Sequence, residues 1–529
     1  MPIHGHHILE LLSAAERNHG HVRFVTPRGT QEASFADMWS LSSRMAHALE
    51  MSVPNGRVAG ILTPSVEMVA CLVACLRAGR DFASVPLPGR GQDSASYLQQ
   101  LETVADLAHI GAMVVEAAYF DLLQPFAARR KCSVIMAESL AEATSTELRS
   151  DNEPGELIQF SSGTTGMPKG VRLAGAAIAA SVEATLDALS IDDDPEVFCS
   201  WVPMSHNTGL IGGLLGSWVG CTRTRPGYRH ICISPELFLT RPSIWMESCA
   251  ANGATITAAP TFAYQVAARD LSRSATMNLI KLRAAIIGAE PIGQETLQAF
   301  ASSGSRHGLR EIALCPAYGL AEATLVVSMV RPEEPWTTKV VSVDGQTKAY
   351  VSCGRTLHCV NVEAPDASTG VGPIKIAGPA LCSGYIPARD IPPHDSLDTG
   401  DLGAFAEREL CVTGRSDDLL CIAGRNIFAW ELERAGSLQH LGVGDCVVVA
   451  DGRGRYIALF ESATEDGNPG DALSEIRRSL VAIAGIGPSA VGCLGRGALP
   501  RTPSGKIRRN RVASDVSRFV ESCHTYREF

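Results

Sequence analysis

Phe160-Ser161-Ser162-Gly163-Thr164-Thr165-Gly166-Met167-Pro168-Lys169-Gly170-Val171 sets two glycines and four hydroxyl side chains ahead of a single lysine. Such a turn suits phosphate. Glycine lets backbone N–H groups converge on an anion, and the Ser and Thr hydroxyls add donors. A Walker loop is excluded, because it needs four residues between its glycines and a lysine followed directly by Ser or Thr. Here Pro168 precedes Lys169 and Gly170 follows it. The P-loop NTPase and kinase readings fall with it. The flanks, 157–160 and 170–173, read as strands, so the plain alternative is a polar turn between two strands.

Outward from this loop the pattern is βαβ. A strand over 58–62 leads into a Thr63-Pro64 helix start, Val66, Val69, Val73 and Leu76 recur at helical spacing, and Gly79 ends the helix before a strand through Val85. After the loop, residues 176–189 carry Ile178, Val182, Leu186 and Leu189 on one helical face. Ser302 to Ser305 reads as a short polar turn. Beyond about residue 415 the texture becomes that of a smaller α+β unit, with strands over 446–450 and 456–461 and a helix over 473–483. Gly414-Arg415-Ser416-Asp417-Asp418, polar and without helical pattern, lies between and suits a hinge.

Composition bounds the class. A chain of 529 residues that is 45% hydrophobic can bury several cores. A formal charge of −10 without a long basic run speaks against nucleic acid, so acidic substrates must be held by local groups. The 16 cysteines form no CxxC pair, and Cys71 and Cys75 stand at i and i+4 of an apolar helix. They read as reduced core residues, which suits the cytoplasm. No apolar stretch approaches the roughly 20 residues that span a bilayer. His4, His6 and His7 read as a frayed terminus rather than a metal site.

Further motifs follow in order: Trp201 to Gly212, Ser234-Pro235, Phe238-Leu239, Arg241-Pro242, Thr261-Phe262-Ala263-Tyr264, Gly288-Ala289-Glu290-Pro291 and Tyr318-Gly319-Leu320-Ala321-Glu322-Ala323-Thr324. Thr399-Gly400-Asp401, Gly414-Arg415, Gly424-Arg425-Asn426 and Thr502-Pro503-Ser504-Gly505-Lys506 complete the set. Over essentially its whole length the chain resembles the adenylate-forming superfamily of acyl-CoA synthetases, luciferases and peptide-synthetase adenylation domains. Within it, the stand-alone fatty acyl-AMP ligases are most similar.

The resemblance implies an α/β fold: a large N-terminal domain of several subdomains over residues 1–414, with mixed sheets and helices, a hinge at 415–418, and a small mobile α+β domain at 419–529. It implies ATP-dependent activation of a fatty or other apolar carboxylic acid to acyl-AMP, then transfer to a phosphopantetheine thiol of CoA or of a carrier protein acting in trans. Ser161, Ser162, Gly163, Thr164, Thr165, Gly166 and Lys169 would cradle the phosphates, and Glu322 would hold Mg²⁺. Tyr318 would stack on adenine, with Gly288, Ala289, Glu290 and Pro291 opposite and Ala317, Gly319, Leu320 and Ala321 beside it. Asp401 and Arg415 would take the ribose hydroxyls. Lys506 would bridge the acid and the α-phosphate, and His206, Asn207, Thr208, Ile211 and Phe262 would line the acid's path. Asp417 would be the hinge residue, and Gly424 would line the thiol's passage.

The plain alternatives are a core tyrosine for Tyr318, a solvated surface acid for Glu322, surface charge pairing for Asp401 and Arg415, and a buried structural histidine for His206. Ala321, Asn207 and Gly372-Pro373 depart from residues common among relatives. The segment from Val326 to Tyr350, ahead of Val351-Ser352-Cys353-Gly354, reads as a short form of the insertion that fatty acyl-AMP ligases carry. The alternative function is a non-adenylating relative that binds acyl-AMP or performs only the thioester step.

Overall fold

The computed structural model describes residues 7–529 except 54–55, 86, 89–93, 131, 147–152, 162–168, 193, 225–226, 344–345, 388, 392–394, 423–424, 438–442, 463–471 and 502–506. Two large sheets organise it. In the first, strands Phe82–Val85, Arg57–Ile61, Ile110–Val115 and Ser133–Met136 run parallel beside Leu157–Ser161. Leu157–Ser161 pairs antiparallel with Lys169–Leu173, with Ser161 opposite Lys169. The opening loop is therefore the connection of a hairpin, and Lys169 is the first residue of its return strand.

The helix Val66–Arg77 starts where Ser65 caps the N–H of Met68, and it stops before Gly79, which has φ of +67°. The sequence marks one apolar stripe, but every residue from Met68 to Leu76 is buried. The helix packs against both the strand Arg57–Ile61 and the helix Phe35–Ser52, so no face is left for water. Cys71 and Cys75 sit inside it, buried as expected.

The second sheet has nine strands. At its centre Leu314–Gly319, Ala284–Gly288, Ile256–Pro260, Glu196–Ser200 and Tyr228–Ile233 run parallel. Residues 302–305 are not the expected turn: they close the helix Gln294–Ser305, with Phe300, Ala301 and Gly304 turned inward. A four-stranded sheet follows, in which Leu397–Ala406 pairs with Glu409–Arg415 and sets Asp401 opposite Arg415. The segment after Glu322 forms the strand Val326–Met329 and then the hairpin Thr338–Val343 with Gln346–Val351.

Ser416–Asp418, expected to lack helical pattern, makes one 3₁₀ turn. Beyond it, strands Val443–Ala450, Tyr456–Ser462, Ala490–Leu494 and Thr525–Glu528 form a separate sheet. The parallel pair Tyr456–Ser462 and Ala490–Leu494 is joined across the helix Ala472–Ala484, and Tyr456, Phe460, Ile476, Leu480 and Val491 share one core. The helix Ala429–Gly436 ties this unit to the rest. Lys348 and Tyr350 of the hairpin donate to Glu431 at 2.7 and 3.1 Å, and the Trp430 indole donates to the Thr413 carbonyl at 2.8 Å. Among the described residues no helix is long and apolar enough to cross a membrane.

Candidate active site

A cleft of about 3480 Å³ opens where the C-terminal ends of the parallel strands face the small sheet, and most of the residues singled out in the sequence line it. Parallel strands release their chains into loops at one edge, which is why such folds collect function there. Gly288 ends its strand against Leu314–Gly319. A Cβ on it would stand 2.5 Å from the Ala317 carbonyl oxygen, so only glycine lets the two strands close on each other here. Ala289 then turns with φ of +63°, and Glu290 accepts the Phe262 N–H at 3.1 Å, fixing the start of the helix Thr261–Arg273.

In the same cleft, the Tyr318 hydroxyl donates to Asp401 Oδ2 at 2.6 Å, and Arg415 Nη1 lies 3.3 Å from Asp401 Oδ1. All three line the cleft. Burial raises the Asp401 carboxyl above its ordinary value, and Glu322 and Asp418 add to that; the Tyr318 hydrogen bond and Arg415 oppose it. The Tyr318 phenol is pushed up by burial and by Asp401. Arg415 Nε is buried and has no partner among the described residues. A buried guanidinium donor without an acceptor is costly, and a ligand bound beside Asp401 would satisfy it.

Glu322 stands on the short turn Ala321–Ala323. Lys169 Nζ lies 3.7 Å from Glu322 Oε1 and 3.4 Å from the centre of the Tyr385 ring, while the Tyr385 hydroxyl reaches the same Oε1 at 3.4 Å. The carboxylate is held loosely by neighbours, not locked into a short pair. Thr324, at φ of +64°, shapes the exit of this turn. The Asn207 side chain donates to the Thr324 carbonyl at 2.6 Å, and the Thr324 hydroxyl donates to Ala380. Asn207, a departure in the sequence, is thus a buried strut beneath Glu322.

His206 precedes an eight-residue π-helix, Thr208–Leu215. Its Nδ1 accepts the Thr208 N–H at 3.2 Å, so in the neutral ring the proton sits on Nε2. His206, Thr208, Ile211 and Phe262 all reach the cleft. From Ile211 the cavity continues inward between the π-helix and the helix Gly175–Ala188, past Thr185, Leu186 and Leu189 to Phe198 and Tyr228, all buried. Gly216 opens onto this arm: a Cβ there would meet only the Ile211 carbonyl.

Asp417 is exposed and lies outside the cleft lining, in the 3₁₀ turn. Ser162, Gly163, Thr164, Thr165, Gly166, Gly424 and Lys506 lie outside the described residues. Sequence reasoning missed Tyr385, whose signal was a lone aromatic in the turn-rich stretch Ser383-Gly384-Tyr385-Ile386-Pro387. It also missed Arg509, which donates to Glu433 at 2.7 and 2.8 Å and pairs with Asp418, tying the segment after Lys506 to the 3₁₀ turn.

The pattern of AMP-binding enzymes matches residues 11–386. A Mycobacterium tuberculosis protein provisionally named a ligase is 30% identical over 495 residues, 86% of this chain and 89% of that protein. A long-chain-fatty-acid–AMP ligase of the same species is 25% identical over 84% of this chain and 85% of its own. A medium-chain-fatty-acid–[acyl-carrier-protein] ligase of Moorena producens is 26% identical over 90% and 88%. One solved structure, from a study of fatty acyl-adenylate ligases of E. coli and L. pneumophila, has a TM-score of 0.85 at 24% identity, covering 97% of this chain and 98% of that one. That is a likeness of fold.

Proposed function

The chain belongs to the AMP-binding enzyme family, and we propose that it is an acyl-AMP ligase which uses ATP to activate a fatty or similarly apolar carboxylic acid and passes the acyl group to a phosphopantetheine thiol on a carrier protein. The observation that carries this reading is the group Tyr318–Asp401–Arg415, with an Arg415 Nε that has no partner among the described residues, lining the same cleft as Gly288–Pro291. A carboxylate with two acceptor oxygens beside a free guanidinium donor fits a ribose diol. The glycine-tight segment Gly288–Pro291 on the strand beside Tyr318 suits a flat base.

In the first half-reaction a carboxylate oxygen of the acid forms a bond to the α-phosphorus of ATP, the bond to the bridging oxygen breaks, and pyrophosphate leaves. Lys169, with the loop 162–168, binds the departing phosphates. Glu322, held loosely by Lys169 and Tyr385, suits Mg²⁺, which takes one or two carboxylates and completes its shell with phosphate and water. Mg²⁺ bound there would neutralise charge on the phosphates. Thr165 and Lys506 donate to the reacting phosphate and carboxylate. His206, its orientation fixed through Nδ1, borders the acid's path, and the buried arm beyond Ile211 takes the apolar chain.

In the second half-reaction the thiol sulfur attacks the acyl carbon, the bond to AMP breaks with its electron pair going to AMP, and the thiol proton passes to solvent. The unit from residue 419 onward turns about Asp417 between the two, drawing Lys506 out and bringing Gly424 to the thiol's passage. Support for a carrier protein as acceptor comes from the relative named for an acyl-carrier-protein product.

The experiment is mass-spectrometric detection of acyl-AMP from purified protein with ATP, Mg²⁺ and a panel of fatty, aryl and polycyclic acids, each with and without CoA. Acyl-AMP from a fatty acid, persisting with CoA present, is the expected result. Conversion to acyl-CoA would redirect the acceptor to CoA, and no adenylate from any acid would overturn the reading.

A further inference from the structure

The helix Thr261–Arg273 begins at the reaction centre, where Phe262 is tied to Glu290, and runs outward for roughly 16 Å between Phe262 and Arg273. Phe262, Gln265, Val266, Arg269 and Arg273 all line the cleft. Their spacing puts them in one stripe along the helix, apolar near the centre and cationic at the outer end. The helix Ser94–Ala108 lines the same cleft with Gln99, Gln100 and Thr103. These are neutral hydrogen-bonding side chains that would lie along an amide-bearing ligand without a charge requirement.

Arg269 and Arg273 are exposed, and neither makes an ion pair among the described residues. Asp270, between them, feels both charges without forming a close pair, and Glu236 on the helix Pro235–Thr240 also lines the cleft. Two guanidinium groups one helical turn apart present forked donors to a single tetrahedral anion, a geometry that favours phosphate.

We infer that Arg269 and Arg273 bind the phosphate of the phosphopantetheine arm, with the arm lying along Val266, Gln265 and Phe262 so that its thiol arrives beside Gly288–Pro291. The inference rests on the proposed acyl-AMP ligase activity and adds to it an anion subsite for the acceptor. Phosphopantetheine carries its thiol and its phosphate at opposite ends of an arm whose middle is amide and methylene, which matches the order of side chains along the groove. The same phosphate occurs in CoA and on a holo-carrier protein.

The test compares 4′-phosphopantetheine with pantetheine as thiol acceptors, in wild type and in the double variant Arg269→Gln/Arg273→Gln, with pyrophosphate release measured separately as the readout of adenylation. Both substitutions lie on an exposed helix face, so folding is retained, and circular dichroism checks it. Wild type should show a KM for 4′-phosphopantetheine about tenfold below that for pantetheine, which is what two exposed ion pairs to one phosphate supply. In the double variant the two KM values should converge, with pyrophosphate release and transfer to pantetheine unchanged. Raising salt to 0.5 M should narrow the wild-type gap. Parallel assays with CoA and with a holo-carrier protein show which source the site serves, through which of the two suffers in the variant. Equal KM values in wild type, or a preference that survives in the variant, would overturn the inference while adenylation proceeds; loss of pyrophosphate release in wild type would overturn the ligase reading itself.

Discussion

Replacing Asp401 with Asn should weaken ATP binding and leave the fold as stable or more so, two effects of opposite sign from one side chain. The carboxylate already receives Tyr318 at 2.6 Å and Arg415 at 3.3 Å, and it has lone pairs left for a sugar diol. Asparagine keeps one acceptor oxygen, which Tyr318 can still use, and loses the other together with the charge. A hydrogen bond to a charged group is worth roughly 1.5–3 kcal/mol, so KM for ATP should rise by about 10- to 150-fold. Stability runs the other way. Burial raises the folded-state pKa of Asp401, so its contribution to stability is full below the unfolded value of 3.8 and is lost as pH rises through the folded value. At neutral pH the buried charge is therefore a cost, which Asn removes. The assay is pyrophosphate release against ATP and 2′-deoxyATP, with thermal unfolding in parallel. Wild type should discriminate against the deoxy nucleotide, and the variant should lose most of that discrimination. On acidification, ATP affinity in wild type should fall at a pH above the usual carboxylate range, and the variant should lack that limb. Undiminished discrimination in the variant would refute the assignment, as would a fall in unfolding temperature large enough to explain the lost affinity.

Tyr385→Phe keeps the ring under Lys169 and should retain most adenylation activity, whereas Tyr385→Leu should lose a further factor of several, since a cation over an aromatic face contributes about 0.5–2 kcal/mol; equal activity in both would remove the ring from the argument. His230, buried, edge-on to Phe198 and with its ring Nδ1 unpartnered among the described residues, is pushed down to about 3 by burial. Its contribution to stability is full above the unfolded value of 6.5 and is lost as pH falls toward 3, at up to ~1.4 kcal/mol per pH unit. His230→Leu should flatten the change in urea midpoint between pH 7 and pH 5, and an unaltered slope would count against it. Gly216→Val should leave short acids as substrates and depress turnover of long ones, because the added methyls project into the inner arm; a uniform loss across chain lengths would mean the arm is not the acyl path.

Where periodicity and local chemistry act alone, the chain was legible. Strands 157–160 and 170–173 match Leu157–Ser161 and Lys169–Leu173 within a residue, because two apolar runs around a glycine-rich turn leave few alternatives to a hairpin. Tertiary packing overrode the local signal elsewhere. The helix Val66–Arg77 looks one-sided in sequence but is wrapped on all sides, and the four small residues 302–305 end a helix because Phe300 and Gly304 have a core to face. Neither fact depends on the residues themselves so much as on what lies above them.

The site divides in the same way. Gly288, Tyr318, Glu322, Asp401 and Arg415 stand in short ordered motifs, and the fold gathers them around one cleft from strands distant in sequence. Asn207 lines the same cleft and Tyr385 stands behind its Lys169 and Glu322, and both act through partners rather than through motifs. Tyr385 matters because the return strand of the hairpin brings Lys169 over its ring. Asn207 matters because Thr324 turns its carbonyl inward at a positive φ. Such roles are properties of pairs, and a sequence read one position at a time shows only one member of each. The arginine stripe on Thr261–Arg273 lies between these cases. Its spacing is visible in the letters, but its meaning comes from the cleft that the helix borders, since on an isolated helix two free arginines are only solvated charge.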